Sequence, residues 1–161
     1  MPEKKTVERA SAAKRAGKSP STQAGAFVKE QIDHIREGKH GAKSAKQAIA
    51  IGLSEARRAG VKAKAPKKGT TSEATRNKAS KDSAAGQHKT KKSASTESKS
   101  KRSAVSTRVL KRESTKAASH TALSRQSHAS ASRRSAADRS AAAKKGWATR
   151  RKAAAARHAA R

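Results

Sequence analysis

Residues 19–60 read Ser19-Pro20-Ser21-Thr22-Gln23-Ala24-Gly25-Ala26-Phe27-Val28-Lys29-Glu30-Gln31-Ile32-Asp33-His34-Ile35-Arg36-Glu37-Gly38-Lys39-His40-Gly41-Ala42-Lys43-Ser44-Ala45-Lys46-Gln47-Ala48-Ile49-Ala50-Ile51-Gly52-Leu53-Ser54-Glu55-Ala56-Arg57-Arg58-Ala59-Gly60. Ser followed by Pro is an N-cap with proline at the first helical position. Ala24, Val28, Ile32 and Ile35 then recur at i, i+4, i+8 and i+11, with Phe27 beside them, which is one apolar stripe on a helix. Gly38 ends it. Ser44 with Gln47 fits a capping box for a second helix, whose face is Ala48, Ile49, Gly52, Leu53 and Ala56. Arg57 and Arg58 suit its C-terminal dipole, and Gly60 is the stop. Two helices, at about 20–37 and 45–59, joined by a short loop predict an antiparallel hairpin with a core of Phe27, Val28, Ile32, Ile35, Ile49 and Leu53. The stretch from about Thr6 to Gly17 predicts a third, weaker helix with Val7 and Ala10 as its apolar contacts.

Outward from this segment the chain changes character. Of 161 residues, 37 are Ala and only 15 are larger apolar residues. Eight of those fifteen fall between Phe27 and Val61, and none between residues 62 and 104. Too few large side chains remain for a core of this length, and low hydrophobicity with high charge is a signature of disorder. The hairpin is therefore expected to be marginal alone, dimerising, borrowing the first helix or tightening on a ligand. Lys62-Ala63-Lys64-Ala65-Pro66-Lys67-Lys68-Gly69 marks a boundary near Val61. Three regions result: a helical module at 1–61, a disordered Lys/Ser/Ala-rich linker at 62–132, and a basic segment at 133–161. Within the linker, Val105, Val109 and Leu110 suffice for one amphipathic turn. In the last segment Ser135 with Asp138 resembles a capping box, and the runs Ala141–Ala143 and Ala153–Ala156 favour a helix at about 135–160. The expected class is mainly α with extensive disorder.

Charge supplies the functional reading. Lys and Arg number 41 against 11 Asp and Glu, a formal net charge of +30. Residues 1–60 sum to +7 and residues 61–161 to +23. Such an excess points to a polyanion, bound through phosphates with release of condensed counterions and little reading of sequence. The candidate phosphate contacts are Lys62, Lys64, Lys67, Lys68, Lys91, Lys92, Lys101, Arg102, Lys111, Arg112, Arg133, Arg134, Lys144, Lys145, Arg150, Arg151, Lys152 and Arg157. Trp147, the single Trp, stands among the last group and is a candidate groove wedge. Aromatic residues are otherwise nearly absent, which disfavours a stacking platform for single strands and excludes an RRM.

Other chemistry is missing. No HExxH, nucleophile elbow, P-loop or Rossmann glycine pattern occurs, and no cysteine is present. No enzymatic activity and no cofactor are expected. His34-x-x-Glu37-x-x-His40 has metal-like spacing, but Gly38 ends the helix before His40, so no metal is expected either. No apolar run reaches the ~20 residues of a membrane span. The N-terminus lacks the pattern of a secretory signal. A cytoplasmic, nucleoid-associated protein is expected.

The words Lys18-Ser19-Pro20-Ser21-Thr22-Gln23-Ala24-Gly25-Ala26-Phe27-Val28, His34-Ile35-Arg36-Glu37-Gly38-Lys39-His40-Gly41 and Lys46-Gln47-Ala48-Ile49-Ala50-Ile51-Gly52-Leu53-Ser54-Glu55-Ala56-Arg57-Arg58-Ala59-Gly60 resemble a family of small basic bacterial proteins of unknown function, over about residues 4–61. The resemblance implies a bacterial origin and no mechanism. The remainder is similar in composition to the tails of bacterial histone H1-like proteins. The leading expectation is a histone H1-like protein that binds duplex DNA through its phosphates. The alternatives are an RNA-binding, ribosome-associated basic protein, or an adaptor whose hairpin binds a second copy or a partner protein.

Overall fold

The computed structural model describes residues 2–87 and 99–159. Among the described residues there are seven α-helices, one 3₁₀ turn and no strand: α1 (Lys4–Arg15), α2 (Pro20–Arg36), α3 (Ala45–Arg58), α4 (Glu73–Gly86), α5 (Lys99–Arg112), the 3₁₀ turn Thr115–Ala118, α6 (His120–Ser132) and α7 (Ala136–Ala159). The chain divides into two compact units, residues 1–123 and 124–161.

The helices start where local chemistry dictates. Ser19 Oγ accepts the Thr22 N–H at 3.4 Å, and Ser44 Oγ accepts the Gln47 N–H at 3.3 Å. Gln47 reaches back one residue further than a capping box requires, accepting the Lys43 N–H at 2.8 Å. The glycines past α1, α2 and α3 sit at positive φ, as helix stops do: Gly17 at 65°, Gly38 at 73° and Gly60 at 87°.

In the first unit α2 and α3 form the most extensive helix pair. They run antiparallel, with Ile35 packed beside Ala48 at one end and Phe27 beside Ala56 at the other. The close approach falls at Gly52, where a Cβ would lie 2.6 Å from Val28 Cα. Phe27 and Ile35 are fully buried, whereas Val28, Ile32, Ile49 and Leu53 are half-buried. The rest of the apolar interior is alanine except for Val61: nine of the twelve buried apolar residues described are Ala. Counting large side chains therefore understates this core, because helices faced with Ala and Gly bury their backbones against one another directly.

α1 lies against α2 through Ala10, while Val7 stays exposed and Thr6 takes the buried place instead. Beyond α3 the chain runs extended, and buried Arg57 ties it down. The Arg57 guanidinium donates to the Ala63 and Lys64 carbonyls, each at 3.1 Å. Burial depresses the pKa of this guanidinium below its ordinary value.

The composition of residues 62–132 predicts a disordered linker and a boundary at Val61; the described part of that stretch is largely helical instead, and the first compact unit runs on to residue 123. The reason is that one acid and a few alanines supply anchors. Asp82 on α4 is buried, accepting from Ser54 Oγ at 2.6 Å and from Arg58 Nε at 2.8 Å on α3. Ala79 on α4 is buried, as are Ala117 and Ala118 of the 3₁₀ turn, which sit with Ile35, Ala42 and Ala48. Arg36 Nε donates to the Ala118 carbonyl at 3.0 Å, and the Leu110 carbonyl accepts the Gly41 N–H at 2.8 Å. The amphipathic turn expected around Val105 and Val109 is part of α5, with both valines more than half exposed.

In the second unit α7 covers Ala136–Ala159, against an expected 135–160 whose last residue lies outside the described residues. Ser135 Oγ accepts the Asp138 N–H at 3.0 Å and donates to the Asp138 carboxylate at 2.8 Å, so the expected cap forms. No described side chain of α7 is buried or half-buried. Its helicity rests on Ala propensity and its cap, not on packing.

Candidate nucleic-acid interface

The basic residues singled out above are divided among several elements. Lys62, Lys64, Lys67 and Lys68 lie on the extended segment after α3, all exposed. Lys91 and Lys92 lie outside the described residues. Lys101, Arg102, Lys111 and Arg112 are carried by α5, and Arg133 and Arg134 by the turn between α6 and α7. Lys144, Lys145, Trp147, Arg150, Arg151, Lys152 and Arg157 all belong to α7. Seven of the nineteen candidates are thus brought onto one rod about 36 Å long at ~1.5 Å per residue. Steps of 100° distribute its cations around every side, so α7 has no neutral face to turn to a phosphate backbone.

What sets most of these cations apart is that they do not pair with a described acid. No ion pair with another described residue forms at Lys62, Lys64, Lys67, Lys68, Lys111, Arg112, Arg133, Arg134, Lys144, Lys145, Arg150 or Lys152. Acids elsewhere are already engaged: Asp33 with Lys29, Glu37 with Lys39, Glu73 with Arg76 and Asp82 with Arg58. Among the described residues, the fold itself does little to neutralise this charge.

Trp147 is 59% exposed, and the Arg151 guanidinium lies over its ring at 4.7 Å from the centroid. This cation–π pair at i, i+4 covers one ring face and leaves the edge open to solvent. Ala148, Lys152 and Ala155 flank the pair along a shallow, open depression.

The hairpin core is covered in part by the rest of its unit. Phe27 and Ile35, its strongest apolar residues, have no exposed area. Their cover includes α1, the 3₁₀ turn and residues just beyond α3, and the 3₁₀ turn lies well outside the module expected from the sequence. The spacing His34-x-x-Glu37-x-x-His40 also dissolves in three dimensions. Glu37 pairs with Lys39 at 2.9 Å, and His40 turns to the Gln31 carbonyl oxygen at 3.1 Å and to its neighbour Gly41 O at 3.0 Å. His34 instead faces Glu30, four residues earlier on α2, and Glu3, which no sequence spacing links to it. No helix of the described residues is long and apolar enough to cross a membrane.

Residues 12–69 match the model of a family of unknown function (DUF6496), a span running from within α1 through α2 and α3 into the extended basic segment. No curated protein and no solved structure matches the chain.

Proposed function

We propose that this protein binds the phosphate backbone of duplex DNA without reading its sequence, in the manner of a histone H1-like, nucleoid-associated protein. The observation that carries the reading is the charge of residues 61–161, +23 in total, of which +6 lies on a helix that has cations on every side and a single acid, Asp138. In water those like charges repel along α7, so phosphates that neutralise them stabilise the helix as they bind. The compact first unit then acts as a folded body attached to a basic arm, and no catalytic role is assigned to it.

The test is fluorescence anisotropy of random-sequence duplex DNA and duplex RNA with the whole chain, titrated over salt. Engagement of 6–10 phosphates gives a fall in affinity of roughly 10³–10⁵-fold between 50 and 200 mM salt. A shallow salt dependence, or affinity confined to one DNA sequence, overturns the reading. Preference for the RNA duplex by more than tenfold replaces DNA with RNA as the partner.

A further inference from the structure

A hollow of about 100 Å³ opens between α1 and α2, and its wall contains four of the six acids found in residues 1–60: Glu3, Glu30, Asp33 and Glu37. Lys5, Arg9, Lys29 and Lys39 line the same wall. Two of the four are taken by neighbouring ammonium groups, Asp33 by Lys29 and Glu37 by Lys39. The other two converge on a histidine, with Lys39 Nζ a more distant 3.8 Å from Glu3 Oε1. One carboxylate oxygen each of Glu3 and Glu30 and a ring nitrogen of His34 all lie within 4.8 Å of one another.

Glu30 makes this more than a cluster of acids. It is 6% exposed, and its two oxygens have different fates. Oε1 accepts the Glu3 backbone N–H at 2.9 Å, while Oε2 is buried with no hydrogen-bond partner. A buried carboxylate oxygen without a partner is costly, because its water is lost and nothing replaces it. One oxygen held by the backbone and one left free is the arrangement of a carboxylate oriented for monodentate ligation.

The other two groups are poised likewise. Glu3 occupies the N-cap position of α1, yet its side chain makes no capping hydrogen bond and turns to His34. His34 Nε2 stands 3.1 Å from Glu3 Oε1. That separation suits a hydrogen bond, and it also suits two ligands on one ion at metal–ligand distances of about 2.0–2.2 Å. Glu30 and His34 are i, i+4 on α2, so the helix holds them on one face.

The geometry points to a three-ligand site for a divalent transition-metal ion, formed by Glu3, Glu30 and His34. Two carboxylates and one imidazole are the donor set of zinc and its first-row neighbours, and three protein ligands leave a position for water from the hollow. Such an ion ties the N-terminus of α1 to the C-terminal half of α2 and supplies the partner that Glu30 Oε2 lacks.

The test is isothermal titration of the full chain with zinc chloride, repeated with cobalt(II) for its visible absorption. The expected result is one high-affinity zinc per chain and an absorption band of low-coordinate cobalt. Glu30→Gln, which keeps an acceptor for the Glu3 N–H, and His34→Ala each weaken this binding by about tenfold or more. His128→Ala, in the second unit, leaves it unchanged. Zinc raises the melting temperature of the native chain and not that of His34→Ala. Absence of stoichiometric zinc binding overturns the proposal. So does binding that survives both substitutions, which places the metal on other histidines. Should Glu30→Gln lose its helical circular dichroism, His34→Ala alone decides between these outcomes.

Discussion

Gly52 carries a constraint that no periodicity displays. It sits in the middle of α3, where helix propensity favours Ala by about 1 kcal/mol. Against that gain, a Cβ would lie 2.6 Å from Val28 Cα and 2.9 Å from Val28 N, both backbone atoms that cannot swing aside. Overpacking wins over propensity. Gly52→Ala is expected to destabilise the first unit by about 1–3 kcal/mol in urea denaturation followed by circular dichroism. A stabilised variant would show that α2 and α3 separate freely. Glu55 makes a second prediction at this scale. Burial raises its carboxyl pKa, and the negative charge of Glu30 adds to the effect. A carboxyl raised on folding favours the folded state while protonated, at pH below its unfolded value, and loses that contribution as pH rises through the folded value. Glu55→Gln keeps an acceptor for Gln31 Nε2, which donates to Glu55 Oε2 at 2.7 Å. The variant is therefore expected to be more stable than the native chain at neutral pH. Its advantage should vanish as pH falls into the carboxylate range, read from thermal melts across pH.

At the scale of elements, α4 and α7 show two ways for a polar sequence to be helical. α4 is docked by Asp82, whose carboxylate is held by Ser54 and Arg58 of α3, and by buried Ala79. Removing one partner of such a buried charged group costs more than an exposed ion pair is worth. Asp82→Ala is expected to abolish hydrogen-exchange protection in α4 while α2 and α3 keep theirs. Equal loss in all three helices would mean that α4 is part of one cooperative core. α7 has no such anchor. Only Ser135 and the Ala runs favour it, and its basic residues repel one another. A peptide of residues 133–159 should gain helical signal on adding duplex DNA, and Ser135→Ala should lower the starting helicity by weakening a cap worth about 1 kcal/mol. A helix content independent of phosphate would remove the coupling between charge neutralisation and folding.

For the molecule as a whole, the two compact units differ in what holds them and in what they present. Residues 1–123 bury alanines, Phe27 and Ile35, together with a few anchored charged groups. Residues 124–161 hold eleven basic residues and one acid, and bury none of the side chains described. Replacing Lys144, Lys145, Arg150, Arg151 and Lys152 by Gln removes five cations from α7. The slope of log affinity against log salt on duplex DNA is expected to fall by up to about 4–5, at ~0.9 for each phosphate no longer neutralised. An unchanged slope would move the interface to the first unit. Trp147 reports the same event, since it is the chain's one Trp. A groove wedge or base stack quenches its fluorescence on binding, whereas a ring held only by Arg151 changes little.

Local signals alone determine much of this protein: where α2 and α3 begin and end, where α7 is capped, and how unevenly the charge is spread. Ser19, Pro20, Ser44, Ser135, Gly38 and Gly60 act on their own neighbours within a turn, so their effects are written in adjacent residues. Composition misleads over the described part of residues 62–132, because it weighs side-chain bulk, whereas this fold packs through Ala and Gly at close helix approach. Tertiary structure decides which single residues inside a polar stretch become anchors. Asp82 looks like any other surface acid until α3 presents Ser54 and Arg58 to it. Glu30 and His34 share a face of α2, but Glu3 lies 27 positions before Glu30, and only the return of α2 along α1 sets it beside them. Pairings of that kind depend on the path of the backbone between the partners, and no local spacing encodes them.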